Sequence, residues 1–219
     1  MLAAAKTLLL FISALFPIVD PLGGAPIFLT LTRDYSPHDR RILSWRIAIN
    51  SFFLLIGSYF IGTHILKFFG ISLPVVQVGG GLVVISTAWA MLKQRDEEQR
   101  DEVGRKAGRQ DPFHQAFYPL TLPLTVGPGS ISVAVTLGAN LAHYRGANLL
   151  GILAALLGSV LLAISIFLCY GFADRLARVL GETAMNVIMR LTSFLLLCIG
   201  VQILWNGVSA LLMSVPRNP

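Results

Sequence analysis

The chain has 219 residues, of which 55% are hydrophobic and only 13% are charged, and its mean hydropathy is +0.72. This composition excludes a soluble globular domain. The length is enough for about six membrane-spanning helices of about 20 residues each, and the net charge of +6 has to be explained within that frame.

The apolar segments predict six helical spans in chain order. We expect them at about 2–32, 47–66, 71–92, 113–141, 146–173 and 191–213. Each uninterrupted segment is long enough to cross a hydrocarbon core of about 30 Å. The alternation of apolar and polar residues that marks a membrane β-barrel is absent, so the sequence predicts an all-α polytopic membrane protein.

The first and fourth spans contain the same spacing of prolines. Residues 16–26 (FPIVDPLGGAP) align without a gap on residues 118–128 (YPLTLPLTVGP), so that three prolines coincide. A proline inside a helix removes a backbone donor and clashes with the preceding turn. In a bilayer, such a break is tolerated where the freed backbone is buried in protein or lines a cavity. We therefore expect broken helices at 17–26 and 119–128, a pattern that points to a transporter's binding site.

A polar, charged stretch at 94–111 divides the chain into two halves, 1–93 and 112–219. Each half opens on one copy of the proline motif and contains three predicted spans. Three crossings separate the copies, so the second half enters the membrane upside down, which predicts a 3+3 inverted repeat. The alternative is coincidence, because proline and glycine are common in membrane helices.

The basic residues predict the orientation of the chain. Thirteen of the 17 Lys and Arg residues fall on the side that holds the loops between spans 1 and 2, 3 and 4, and 5 and 6. Cytoplasmic loops carry such an excess, so we expect a cytoplasmic linker at 94–111 and both termini on the external, periplasmic side. The net charge belongs to this bias and is not a nucleic-acid footprint.

Asp20 is the only acidic residue within a predicted span. An ionisable residue inside a membrane is a functional candidate by default, and Asp20 could bind a substrate ammonium or a proton. The alternative is that Asp20 is the N-cap of a half-helix with Pro21 in its first position, and the two roles are compatible. The matching residue of the second copy is Leu122, so the predicted site is electrostatically asymmetric.

Small and hydroxyl residues surround both predicted breaks. Glycines allow unwound backbone and close approach, whereas hydroxyls either bind a ligand or bond back to helix carbonyls. Each break also creates a half-helix N-terminus, near Pro26 or Gly129, that suits a small carboxylate. The candidate ligand-binding residues are Asp20, Pro21, Gly23, Gly24, Thr121, Thr125, Gly127, Gly129 and Ser130.

Three further polar residues could support or gate such a site. Asn50 and Gln77 lie within the second and third spans, where hydrogen bonding between helices is the alternative role. Arg190 precedes the last predicted span, where the alternative is an interface anchor whose charged end reaches toward water.

Two other features have structural explanations. Gly79-Gly80-Gly81 does not follow a strand and lacks a succeeding Lys-Ser/Thr pair, so close helix packing explains it better than phosphate binding. Cys169 and Cys198 lie in apolar segments without metal-ligand spacing, so the sequence predicts no metal site.

The motif PIVDPLG at 17–23, the motif PLTLPLTVGP at 119–128 and the sequence Met189-Arg190-Leu191 resemble the MarC family of bacterial inner-membrane proteins. The resemblance covers essentially the whole chain. The family is grouped with LysE-type exporters, and some members are similar to transporters of small neutral amino acids. The resemblance therefore implies a multi-pass protein of the bacterial inner membrane that exports or exchanges small solutes.

Together these features predict a secondary transporter of small neutral amino acids or similar zwitterionic solutes. We expect no nucleotide or other cofactor; a coupling ion, either H⁺ or Na⁺, stays open, as does a homo-oligomeric state. The alternatives are a membrane-embedded enzyme, for which the spans contain no catalytic cluster, and a non-transporting scaffold or regulator. The expected partners are the lipid bilayer and a small-molecule substrate, without nucleic acid.

Overall fold

A computed structural model describes residues 2–93, 116–143 and 148–214, and the regular structure in these ranges is entirely helical. The predicted linker at 94–111 lies outside the described residues, so the division into two halves stays a prediction. The helical segments are α1 Leu2–Val19, α2 Pro21–Leu31, α3 Pro37–Phe68, α4 Leu73–Lys93, α5 Ala116–Thr125, α6 Pro128–His143, α7 Asn148–Gly171 and α8 Ala173–Ser214.

The described helices confirm an all-α polytopic membrane protein. Five segments are long and apolar enough to cross a membrane, and a sixth is added when the bent pair α5–α6 counts as one span. Large apolar side chains face outward, as Phe53 and Leu157 do with 65% and 54% of their surface exposed. Such a surface is suited to contact with lipid chains.

Two predicted helix boundaries were wrong. Helix α3 begins at Pro37 instead of residue 47, because Ser36 caps it by accepting a hydrogen bond from the backbone N–H of Asp39 at 3.1 Å. The last span begins at Thr183 instead of residue 191, and a kink at Gly181, where φ is 72°, separates it from the first part of α8, which starts at Ala173. In both cases hydropathy located the apolar part of the helix, whereas local backbone chemistry sets where the helix begins.

Helices α4 and α8 pack closely along their length, with glycines at the contact. A Cβ atom on Gly81 would lie 2.6 Å from the backbone nitrogen of Leu204, and one on Gly207 would lie 2.7 Å from the carbonyl oxygen of Pro74. Gly80 faces Ser132 of α6 equally closely, whereas Gly79 faces open space. The expected close packing is thus confirmed at Gly80 and Gly81, since small residues let membrane helices approach.

Arg40 joins three segments at one end of the bundle. Its Nε donates to the carbonyl of Thr32 at 2.9 Å and its Nη2 to the carbonyl of Arg33 at 3.0 Å. Its Nη1 forms an ion pair with Asp174 at the start of α8. These contacts hold the C-terminal end of α2 against the beginning of α8.

Candidate binding cavity between two broken helices

The first break is a single residue wide and lies at Asp20. Its backbone adopts the left-handed conformation, with φ 41° and ψ 63°, which ends α1 at Val19. Aspartate is one of the few non-glycine residues that tolerate this region. Pro21 then starts α2, and Asp20 Oδ1 accepts a hydrogen bond from the backbone N–H of Gly23 at 3.0 Å. The expected N-cap is confirmed.

The predicted position of the half-helix N-terminus in this copy was wrong. The half-helix α2 starts at Pro21, and Pro26 lies inside it. Helices α1 and α2 together still form one apolar span, from Ala5 to Leu31. The reason is local: the Asp20 cap, with Pro21 in the first helical position, starts the half-helix five residues before Pro26.

The second carboxylate oxygen of Asp20 has no hydrogen-bond partner. Oδ2 is buried, and it lies beside Gly23 and the hydroxyl of Thr192 on α8. A Cβ atom on Gly23 would overlap Oδ2 and lie 2.7 Å from Thr192 Oγ1. Asp20 Oδ2 and Thr192 Oγ1 therefore both lie against Gly23, at a position where any larger residue would displace them.

The second break is wider and sharper. Tyr118 and Leu122 have extended backbone angles inside α5, and the peptide bonds before Pro119 and Pro123 are cis. The axes of α5 and α6 differ by 69°. Helix α6 starts at Pro128, beside the predicted position at Gly129, so the break expected at 119–128 is confirmed.

The hydroxyls at the second break donate to backbone carbonyls. Thr121 donates to Ala116 at 2.6 Å, Thr125 to Leu120 at 2.7 Å, and Ser130 to Gly127 at 2.9 Å. These hydroxyls therefore bond back to carbonyls of their own segment, and the Gly127 carbonyl also accepts the backbone N–H of Ile131 at 3.1 Å. The expected alternative, that the hydroxyls bond back to helix carbonyls, is confirmed for the hydroxyl protons. The hydroxyl oxygens can still accept hydrogen bonds through their lone pairs.

Tyr170 of α7 connects the two breaks and was missed from the sequence. Its side chain is 1% exposed, and its ring stacks on Phe28 of α2 with centroids 4.8 Å apart. Its hydroxyl lies 3.1 Å from Thr125 Oγ1, and a Cβ atom on Gly24 would overlap that hydroxyl. The only sequence signal was a tyrosine deep in an apolar span, whose polar tip needs a partner when buried.

Both breaks line one cavity of about 420 Å³. Apolar side chains of α4, namely Val83, Val84 and Met91, and Leu196 of α8 form other parts of the wall. The predicted site residues that line the cavity are Asp20, Gly24, Thr125, Gly127, Gly129 and Ser130.

The other predicted site residues lie outside the cavity wall. Pro21, Gly23 and Thr121 are buried beside the breaks. Asn50 on α3 and Gln77 on α4 are half-buried, and Arg190 on α8 is exposed. Their proposed supporting or gating roles stay predictions. Thr192, two residues after Arg190 and next to Asp20, was not predicted, because nothing in the local sequence indicates which residue of the first break it faces.

The whole chain matches proteins of one family. The model of the MarC family integral membrane protein matches residues 5–212. The chain is 30% identical to the UPF0056 membrane protein YvbG of Bacillus subtilis over 208 residues, which cover 92% of this chain and 93% of YvbG. It is 30% identical over 207 residues to the UPF0056 membrane protein MJ1677 of Methanocaldococcus jannaschii, covering 94% of this chain and 97% of that protein.

A third relative carries the family's name. The UPF0056 inner membrane protein MarC of Salmonella typhimurium is 27% identical over 209 residues, which cover 93% of this chain and 94% of that protein. No solved structure matches the chain significantly. The family resemblance noted from the two proline motifs is confirmed, and the chain belongs to the MarC family of integral membrane proteins.

Proposed function

We propose that the protein is a secondary transporter of small neutral amino acids or similar zwitterionic solutes, acting as an exporter or exchanger in the bacterial inner membrane. The observation that carries this proposal is that both helix breaks line the same cavity. Binding sites formed by broken helices near the middle of the membrane are typical of secondary transporters. A volume of about 420 Å³ suits a small solute, since ligand pockets measure about 300–1,000 Å³.

The start of α6 provides a place for the solute's carboxylate. Within α6, Ile131 donates its backbone N–H to Gly127, so the N–H groups of Gly129 and Ser130 precede the first closed helical turn. The positive end of the helix dipole reinforces these donors. Both residues line the cavity, so a carboxylate bound there would lie between the two breaks.

The solute's ammonium can be held by Asp20 or by backbone carbonyls at the breaks. Pro128 has no N–H to donate to the carbonyl four residues earlier, at Leu124, and Leu124 lines the cavity. The remaining wall is mostly apolar, with Val83, Val84 and Leu196 as examples. This combination favours an amino acid with a small apolar side chain over a charged solute.

The packing of the helices supports an inverted repeat. The third spans of the two halves, α4 and α8, pack against each other, and so do the second spans, α3 and α7. Contacts between spans that do not correspond also occur in matching pairs. Helix α1 packs on α7 as α5 packs on α3, and α2 packs on α8 as α6 packs on α4. A pseudo-two-fold axis in the membrane plane produces this pattern, and it allows alternating access.

The proposed orientation places the Arg40–Asp174 end of the bundle in the cytoplasm. Arginines concentrate near this end, at positions 33, 40, 41, 46, 175 and 178, which favours the cytoplasmic side. The cavity extends to Leu31 and Met91, close to the ends of α2 and α4 on this side. We therefore propose that this conformation presents the solute site toward the cytoplasmic half of the membrane.

Uptake of labelled L-alanine into proteoliposomes of the purified protein tests the proposal. We expect uptake above that of protein-free vesicles, competition by other small neutral amino acids, and a response to an imposed ion gradient. Absence of uptake and of exchange by folded protein would contradict the proposal and favour a scaffold. Chemical conversion of the labelled solute would instead favour a membrane-embedded enzyme.

A further inference from the structure

We infer that Asp20 binds the coupling proton on its Oδ2 atom and that Thr192 Oγ1 accepts the hydrogen bond of the protonated carboxyl. This inference rests on the proposed transport function and names its coupling ion. In this arrangement the backbone carbonyls at the breaks hold the solute's ammonium, and the proton and the solute occupy adjoining parts of the same site.

The two oxygens of Asp20 have different surroundings. Oδ1 accepts the backbone N–H of Gly23 at 3.0 Å, which is the ordinary capping hydrogen bond. Oδ2 is buried and has no hydrogen-bond partner. An ionised carboxylate oxygen without a donor is costly in such a place, and protonation of that atom removes the uncompensated charge.

Thr192 is placed to accept this proton's hydrogen bond. Its hydroxyl already donates to the carbonyls of Ile188 at 2.9 Å and Met189 at 3.2 Å. With its one proton directed there, Oγ1 keeps lone pairs that can accept a hydrogen bond. Oγ1 and Asp20 Oδ2 both lie against the position that a Cβ on Gly23 would occupy, so a proton on Oδ2 has this acceptor in its neighbourhood.

The neighbouring helices provide no cation that neutralises Asp20 within the described residues. Arg40 is paired with Asp174, and Arg190 on α8 is exposed. The titratable groups of α7 that interact with the carboxylate are Cys169 and Tyr170, and neither can carry a positive charge. Between residues 73 and 92, α4 carries no ionisable side chain, and on α5 Tyr118 is exposed.

The surroundings of Oδ2 are better suited to a proton than to a metal cation. The side-chain oxygens that lie against Gly23 are those of Asp20 and Thr192, whereas hard metal cations take about six or more oxygen ligands. A proton needs one acceptor atom and one hydrogen-bond partner. Because Asp20 also lines the cavity, water there can deliver the proton, and a bound solute can change the affinity of the carboxyl for it.

The test compares two transport modes in proteoliposomes with labelled L-alanine. Exchange of internal for external alanine needs no net proton movement, whereas accumulation driven by a pH gradient does. At a one-to-one stoichiometry, a gradient of one pH unit supports about tenfold accumulation. We expect Asp20→Asn to retain exchange and to lose this accumulation completely, while Asp39→Asn, at the exposed start of α3, retains both.

Thr192 provides a second, independent variant. Thr192→Val keeps the shape and removes the acceptor oxygen, so the pH midpoint of gradient-driven uptake should shift, whereas Thr192→Ser should restore the wild-type midpoint. The protonated carboxylic acid can also be observed directly by its infrared carbonyl band, which should be absent in Asp20→Asn and shifted in Thr192→Val.

Each other outcome has a defined meaning. Loss of exchange together with accumulation in folded Asp20→Asn would assign Asp20 to the solute and overturn the proton site, while the transport function stands. Accumulation driven by a sodium gradient without a pH gradient would also overturn it, as would a pH midpoint unchanged in Thr192→Val. Absence of both modes in the wild-type protein would instead contradict the proposed function itself.

Discussion

The hydroxyl of Tyr170 lies 3.1 Å from Oγ1 of Thr125, and this hydrogen bond connects α7 to the sharper of the two helix breaks. Thr125 gives its own proton to Leu120, so Tyr170 is the donor. The same hydroxyl lies against Gly24 at the other copy of the motif. One buried side chain thus contacts both helix breaks that line the cavity.

Removal of this hydrogen bond should destabilise the protein moderately. Tyr170→Phe keeps the stack on Phe28 and loses the bond to Thr125, for which we expect a loss of about 0.5–1.5 kcal/mol in the free energy of unfolding. Thr125→Val should cost more, because it removes the hydroxyl's hydrogen bonds to both Tyr170 and Leu120. Denaturation in detergent measures both values. A double mutant whose effect equals the sum of the single effects would contradict direct coupling.

Glycines at the breaks should tolerate substitution less well than glycines that face open space. Gly24→Ala introduces a Cβ that overlaps the Tyr170 hydroxyl, so we expect a destabilisation of about 1–3 kcal/mol. Gly127→Val brings a Cβ to 3.1 Å from the Pro123 carbonyl oxygen, a tight contact that should cost some stability, and it narrows the cavity, so we expect it to block transport more than it lowers the amount of folded protein.

The controls for these substitutions are Gly57→Val and Gly79→Val, because a Cβ at either position meets no atom within 4 Å. Gly158 is unsuitable as a control, because a Cβ there would lie 2.4 Å from the ring of Phe11. Equal transport by the Gly127 variant and the two controls would mean that the solute binds elsewhere and that the breaks are structural kinks.

Arg40 should not be replaceable by lysine. Its guanidinium donates to two carbonyls and to Asp174 at once, and an ammonium group cannot reproduce this planar arrangement. We expect Arg40→Lys to lower the free energy of unfolding by about 1–3 kcal/mol. Asp174→Asn should have a smaller effect, because the two carbonyl contacts of Arg40 persist. Thermal unfolding of both variants tests the order, and a larger loss for Asp174→Asn would contradict it.

The topology can be tested with reporter fusions. A reporter inserted within residues 95–109 should be cytoplasmic, and one placed after residue 217 should be periplasmic, because the excess of Lys and Arg marks the first side. The reverse pair of locations would invert the orientation. Two reporters on the same side would indicate that the bent pair α5–α6 returns to its own side without crossing.

The sequence was sufficient to predict features that depend on neighbouring residues. Apolar segments indicated the spans, the prolines indicated both breaks, and the Asp20-Pro21 pair indicated the cap. These features follow from local backbone chemistry and from the cost of leaving backbone groups unsatisfied in lipid.

The contacts between distant segments could not be predicted. Tyr170 meets Thr125 and Gly24, and Thr192 meets Asp20, only because α7 and α8 pack at a particular rotation against the breaks. Apolar sequences around both residues give little periodicity from which that rotation could be deduced. The sequence offered two starts for α2, at Pro21 after an Asp20 cap and near Pro26, and the structure selects the capped one.

The central claim is that the solute binds between the two breaks, and substrate protection of a single cysteine tests it most directly. Cys169 and Cys198 are first replaced by serine, and Gly127→Cys then places a thiol in the cavity wall, with its Cβ 3.1 Å from the Pro123 carbonyl oxygen. Gly57→Cys is the matched control outside the cavity. We predict that L-alanine slows maleimide labelling at position 127 in proportion to its occupancy and leaves position 57 unaffected. Labelling at position 127 that is unchanged by alanine, in protein that still transports it, would contradict the account.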